Sequence, residues 1–258
     1  MPLLRGLRVP LGRIAGIRFG LHASWFLVFA FVVWATGSGF ASIYPGMGGL
    51  ERVGIAVTIA LAFFACLAAH ELAHALVSRR FGIRVRGITL FLFGGVAEIE
   101  GEIDRPGAEF AVALVGPAVS LVLASLLGLV AVAASDRGWR AVEAVFGTLA
   151  LVNLGVTLFN LVPGLPLDGG RLLRAAVWRL SGDRRRATRI AAGGGRVVAV
   201  ALALLGFALA LRGDPAGLWY VPMGAFLWVL AGSSARAVPA PQAALALPRE
   251  GEAPQPGP

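Results

Sequence analysis

Six long apolar runs are the feature that most limits what this chain can become. A helix needs about 20 mostly apolar residues to cross a hydrocarbon core. The runs are Leu21–Thr36, Val53–Val77, Ala108–Ala134, Ala141–Val162, Ile190–Leu211 and Leu218–Gly232. The first and last are short, and the fifth carries Arg196 near its start. Only 14% of the 258 residues are charged, against roughly 25% in a soluble domain. So few charges cannot coat a soluble surface. This excludes an ordinary cytoplasmic enzyme, a disordered protein and, despite a net charge of +9, a nucleic-acid binder. The expected fold class is an all-α polytopic membrane protein with six transmembrane helices.

All 23 basic residues are Arg, which reads as the product of a GC-rich genome and fits a bacterial cell membrane. With the N-terminus inside, 18 arginines fall in inner segments and 4 in outer loops. Basic residues collect on the cytoplasmic side of membrane proteins, so both termini are expected there. The uncharged stretch after Arg18 is too long for a signal peptide and is expected to stay as an anchor. The lone Cys66 has no partner for an intrachain disulfide and reads as packing. Between Arg84 and Glu102, two β-prone stretches flank Gly94-Gly95, and the second alternates apolar with acidic residues. That pattern predicts a small membrane-associated β-hairpin after helix two; a short amphipathic interfacial helix is the rival. Residues 1–236 are expected to form one six-helix domain, and 237–258 a disordered Pro/Ala-rich tail.

The second run holds His70-Glu71-Leu72-Ala73-His74. Residues i and i+4 share a helix face, so both imidazoles can grip one metal ion while Glu71 stands beside it, placed to activate water. Ionisable groups are costly inside a membrane and are functional by default. Two imidazoles leave zinc short of a third protein ligand. Asp168 is one candidate, in Asn160-Leu-Val-Pro163-Gly-Leu-Pro166-Leu-Asp168-Gly169-Gly170, where the prolines break the helix. His22 is the other; it can equally be an interfacial packing residue. Asp168 can also be a helix N-cap. Topology supplies a check. Helices two and four both run inward, and both motifs lie at their inner ends. His70 and His74 stand about 8–14 Å in from Arg79, at 1.5 Å per residue. Arg171 and Arg174 read as snorkelling, membrane-flanking charges.

The two motifs together resemble the site-2 protease family of intramembrane zinc metalloproteases. The likeness extends over about residues 10–235, including Gly20-Leu-His22-Ala-Ser-Trp25, Phe93-Gly-Gly-Val-Ala97 and Gly116-Pro117. It implies that His70, His74 and Asp168 bind one zinc ion, that Glu71 is the catalytic base, and that Asn160 lies near the substrate backbone. It further implies cleavage of membrane-anchored substrates, for example anti-sigma factors or transcription-factor precursors. The form expected is the six-helix type without PDZ or CBS domains. Two other classes share the same features: a transporter using a broken-helix polar path, and a non-catalytic membrane interaction protein. A helical substrate must unwind before cleavage, and the free edge of the Arg84–Glu102 hairpin, scanned at Ile88–Phe93, is the expected place for it to add as a strand. A hairpin that only plugs the site is the alternative.

Overall fold

The structure is a computed structural model that describes residues 8–43, 46–92, 94–101, 103–214 and 217–236. The proposed tail, 237–258, lies outside the described residues, as do Phe93 and Glu102 of the hairpin segment. Among the described residues, seven helices and four strands run in the order β1 (Arg8–Ile14), β2 (Ile17–His22), α1 (Trp25–Ile43), α2 (Gly49–Arg80), β3 (Arg84–Phe91), β4 (Gly94–Glu100), α3 (Pro106–Ser135), α4 (Arg140–Asn160), α5 (Asp168–Ser181), α6 (Arg184–Leu211) and α7 (Gly217–Arg236). Five of the helices, α2, α3, α4, α6 and α7, are long and apolar enough to cross a membrane. The apolar part of α1, Trp25–Ala41, is shorter. The chain is thus a multi-pass helical membrane protein carrying a small sheet.

The helical surface is apolar, and the interior mixes small and polar side chains with apolar ones, unlike a soluble bundle, whose surface is polar. Leu129, Leu151 and Val197 are 68%, 71% and 70% exposed, while Glu109, Ser120, Asn153 and Thr157 are buried. Lipid offers no hydrophobic drive for helices to associate, so close backbone approach at small residues does the packing. At the α6–α7 contact, a Cβ added to Gly224 would meet Ala199 O and Ala203 N.

The sheet is larger than the expected hairpin. Arg8–Ile14, read from sequence as a basic flank, is strand β1, and helix α1 begins at Trp25 rather than Leu21. The cause is a period-two pattern: Ile17, Phe19 and Leu21 are buried while Arg18 between them is exposed. Ala15 and Gly16 turn the chain with φ of 51° and 76°, the left-handed pair that a tight hairpin requires. The strand order is β1-β2-β3-β4; β2 and β3 are parallel and the outer pairs antiparallel. Hence β3 is an interior strand, and β1 and β4 are the edges. The turn also differs from expectation. Phe91 pairs with Gly94, so residues 92–93 connect the strands and the glycines begin β4. The inner face of the sheet packs Ile17, Phe19, Leu21, Ile88 and Leu90 against Trp25, Val28, Phe64 and Ala75 of α1 and α2.

Helix α5 is short and polar-faced, and it ends at Gly182, whose φ is 68°. Asp183 then caps α6, its Oδ1 accepting the N–H of Arg185 at 2.8 Å and of Arg186 at 3.0 Å. The hydrogen bond from Arg186 N–H, then that from Arg185, holds the Asp183 carboxyl below its usual range. A depressed carboxyl pKa stabilises the fold above the unfolded value and loses that effect as pH falls through the folded one. Amide-exchange protection at Arg185 and Arg186 should therefore survive through about pH 4, the ordinary Asp range, and fade only below it. Asp183→Ala should remove it at every pH, as hydrogen-exchange NMR or mass spectrometry would show.

Candidate metal centre

His70 and His74 stand one turn apart on α2, and both rings are buried. Their Nε2 atoms are 3.1 Å apart. Asp168, the first residue of α5, brings Oδ2 to 3.3 Å from His70 Nε2 and 3.1 Å from His74 Nε2. Among the described residues these three form the group of side chains able to hold a metal ion. A tetrahedral ion with bonds of about 2.0–2.1 Å to N and O ligands sets them roughly 3.3 Å apart. The triangle fits that requirement, and its nitrogen–oxygen donor set suits zinc.

Helix α3 orients both imidazoles. Val112 O accepts a hydrogen bond from His74 Nδ1 at 2.6 Å. A carbonyl can only accept, so the proton of His74 sits on Nδ1 and Nε2 keeps its lone pair for the metal. His70 Nδ1 pairs with Ser120 Oγ at 2.9 Å. Gly116 lies between these contacts. A Cβ there would overlap Nε2 of both His74 and His70, so the glycine is what lets α3 come this close.

Asp168 does not cap its helix. The N-cap position belongs to Leu167, and no side chain caps it. Asp168 Oδ2 faces the imidazoles, while Oδ1 stands 3.5 Å from Arg171 Nη1. The loop before it is braced by α6: Leu165 N–H donates to Ala191 O at 2.9 Å. A Cβ on Gly194 or Gly195 would overlap the backbone of Pro163 or Leu165. Sequence reasoning passed over this support, although three successive glycines inside a helix, Gly193 to Gly195, are a signal of close packing.

Glu71 is half-buried at the wall of a cavity of about 670 Å³ that also exposes His70, His74 and Asp168. Strand β4 crosses it closely, and a Cβ on Gly95 would overlap the Glu71 side chain. Asn160, the last residue of α4, lines the same cavity, its Nδ2 donating to Val156 O at 3.0 Å. His22 is elsewhere. Its Nδ1 accepts the Ser24 N–H at 3.2 Å and pairs with Ser24 Oγ at 2.8 Å, and that oxygen accepts the Leu92 N–H at 3.2 Å. It therefore braces the sheet rather than joining the metal group.

Two arginines read as membrane-flanking charges point inward instead. Arg171 faces Asp168, and Arg174 donates from Nε to Glu109 Oε1 at 2.7 Å, with Nη2 on the same oxygen. Glu109 is fully buried on α3. Removing one partner of such a pair strands the other charge, at a cost of about 3–5 kcal/mol. A count of arginines by loop could not register this pairing; an acid in the first turn of an apolar helix was the available signal.

Fold and site thus define a multi-pass membrane protein with a buried cluster of two histidines and one carboxylate able to hold a metal ion. The chain belongs to Peptidase family M50, whose sequence profile matches residues 58–136 and 125–205. It is 42% identical over 233 residues to a Synechocystis sp. protein named Putative zinc metalloprotease, covering 88% of this chain and 60% of that one. It is 43% identical over 229 residues to Putative zinc metalloprotease Rip3 of Mycobacterium tuberculosis, covering 86% and 57%. The chain therefore spans less than two thirds of either relative. Among solved structures it resembles the site-2 protease from Methanocaldococcus jannaschii, with a TM-score of 0.60 and 25% identity over 91% of this chain and 98% of that one.

Gly116→Ala should push the imidazoles apart and lower bound zinc well below one per chain, as read by elemental mass spectrometry. Gly128→Ala, on the same helix, meets only Ala150 Cβ at 3.8 Å and should leave zinc content unchanged. Stoichiometric zinc in Gly116→Ala would refute the close-approach account.

Proposed function

We propose that this protein is an intramembrane zinc metalloendopeptidase that hydrolyses peptide bonds in or near the transmembrane segments of membrane-anchored proteins. The observation that carries the reading is the triangle of His70, His74 and Asp168, with edges of 3.1–3.3 Å, opening with Glu71 onto one cavity in a chain of a peptidase family. His70, His74 and Asp168 hold one zinc ion. When bound, zinc supplies Lewis acidity at that point of the cavity. Glu71 takes a proton from the attacking water and returns it to the leaving amine as the C–N bond breaks. Asn160 orients the substrate backbone. A transporter or a silent binding protein would have no use for a glutamate beside the two imidazoles that lines the same cavity.

The unwound substrate adds to the outer edge of β4. Two observations support this: β4 is an edge strand of the sheet, and, of its two edge strands, β4 is the one whose Gly95, Val96 and Ala97 line the cavity beside Glu71. The edge lies there and not along Ile88–Phe93, because β2 occupies the other side of β3. The 18-to-4 arginine split supports a reading with both termini in the cytoplasm; in that reading α1 is the first of six spans and residues 1–236 are one domain. Anti-sigma factors and transcription-factor precursors anchored in a bacterial membrane are the substrates this reading favours.

Glu71→Gln should retain zinc and lose cleavage of a membrane-anchored reporter by about 10²–10⁴-fold, whereas Asp168→Ala should lose both zinc and cleavage. Normal turnover in either purified variant would overturn the assignment. Along a strand, neighbouring N–H groups face opposite sides, and proline removes one. Of Val96→Pro and Ala97→Pro, one should therefore stay folded and zinc-loaded yet cleave poorly. Normal cleavage by every folded variant would rule out strand addition.

A further inference from the structure

Arg196 has no place in the peptidase reading. It lies on α6 six residues past Ile190, where the apolar run of that helix begins, so about 9 Å inside the span, near its headgroup end. A cation at that depth in a membrane span is costly and calls for a partner. Among the described residues no carboxylate forms an ion pair with it, or with Arg236 at the end of α7. The two converge nonetheless. The Nη2 atoms of Arg196 and Arg236 each stand 3.9 Å from the point where a Cβ on Gly232 would lie. The Arg196 guanidinium rests 5.6 Å from the centroid of the Trp228 ring, which turns it toward α7. With Val229 these residues line a cavity of about 280 Å³ on the outer face of the helix pair.

We propose that this groove binds an anionic glycerophospholipid, with its phosphate between Arg196 and Arg236 and an acyl chain along α6. Guanidinium groups match a phosphate with paired, charge-assisted hydrogen bonds, and two cations closing on one point suit one such group. Trp228 is of the type that settles at headgroup level. Above the arginine, Val200 and Leu204 follow at one-turn intervals on the same stripe and are 44% and 64% exposed. A charged end continued by an apolar stripe fits an amphiphile, whereas a free phosphate would leave that stripe unused. Gly232 keeps open the space between the cations.

The test is native mass spectrometry of the full chain in detergent, with phosphatidylglycerol and phosphatidylcholine of the same acyl chains. Its readout does not depend on cleavage, so it fails or succeeds independently of the peptidase reading. One phosphatidylglycerol should be retained in preference to phosphatidylcholine. R196Q and R236Q should each weaken retention by about fivefold, and G232L, which keeps both charges but fills the space, should weaken it as well. R140Q, outside the groove, should not, and zinc content should stay constant throughout. Three results would overturn the proposal. The first is unchanged retention in the R196Q/R236Q double variant. The second is displacement of the lipid by millimolar inorganic phosphate, which would mark a phosphate site. The third is lipid retention that appears only after residues 237–258 are removed, which would assign the groove to the chain's own carboxylates.

Discussion

His70 Nε2, His74 Nε2 and Asp168 Oδ2 meet within 3.1–3.3 Å of one another. In apolar surroundings such electron-rich atoms repel unless a cation lies among them, and much of the rest of the architecture holds them in place. One helix can supply two of the three, because i and i+4 share a face. The third must come from another element at the same depth, and α4 runs on past its own end to deliver it. The meeting of these three side chains therefore depends on a helix that stops inside the protein.

A stopped helix is a hazard there. Backbone N–H and C=O groups have no water to turn to in a bilayer, so irregular backbone survives only where protein or a polar cavity surrounds it. The segment after Asn160 meets that condition locally and at long range. Leu161 N–H donates to Thr157 O, Val162 N–H to Phe159 O, Gly164 N–H to Val162 O and Leu167 N–H to Gly164 O, while Leu165 N–H reaches across to Ala191 O. The last bond exists because Gly194 and Gly195 let α6 lie against the loop without side chains between them. The glycines of α6 and the prolines of the loop are thus two halves of one device.

How much of this was legible beforehand follows the range of each interaction. The pairing of His70 with His74 was legible because their relation is local and helical. The break between Asn160 and Asp168 was legible because Pro163, Pro166 and the neighbouring glycines interrupt a helix. Strands β1 and β2 were hidden because four arginines drew the N-terminal segment into a charge count, although Ile17, Phe19 and Leu21 already alternated. The placing of the free edge on β3 failed for the same reason, since the strand that covers that edge comes from more than sixty residues earlier. Gly116 was noticed only within a resemblance. Its purpose, contact with two rings on another helix, is a tertiary fact with no local signature.

Arg171 and Arg174 show where a rule of thumb gives way to pairing energies. A basic residue near a span end is normally free to reach water. Here Glu109, buried at the start of α3, offers Arg174 a stronger alternative. That contact makes α3 the common reference for the whole centre. Glu109, Val112, Gly116 and Ser120 follow at intervals of three, four and four residues, so they form one stripe on one face of α3. Val112 and Ser120 orient the two imidazoles, Gly116 clears the space between them, and Glu109 holds the helix that begins with Asp168. A helix is stiff over this length, so the positions of His70, His74 and Asp168 are set against one another by a single rigid body. Rotating α3 by one residue, about 100°, would release all three at once.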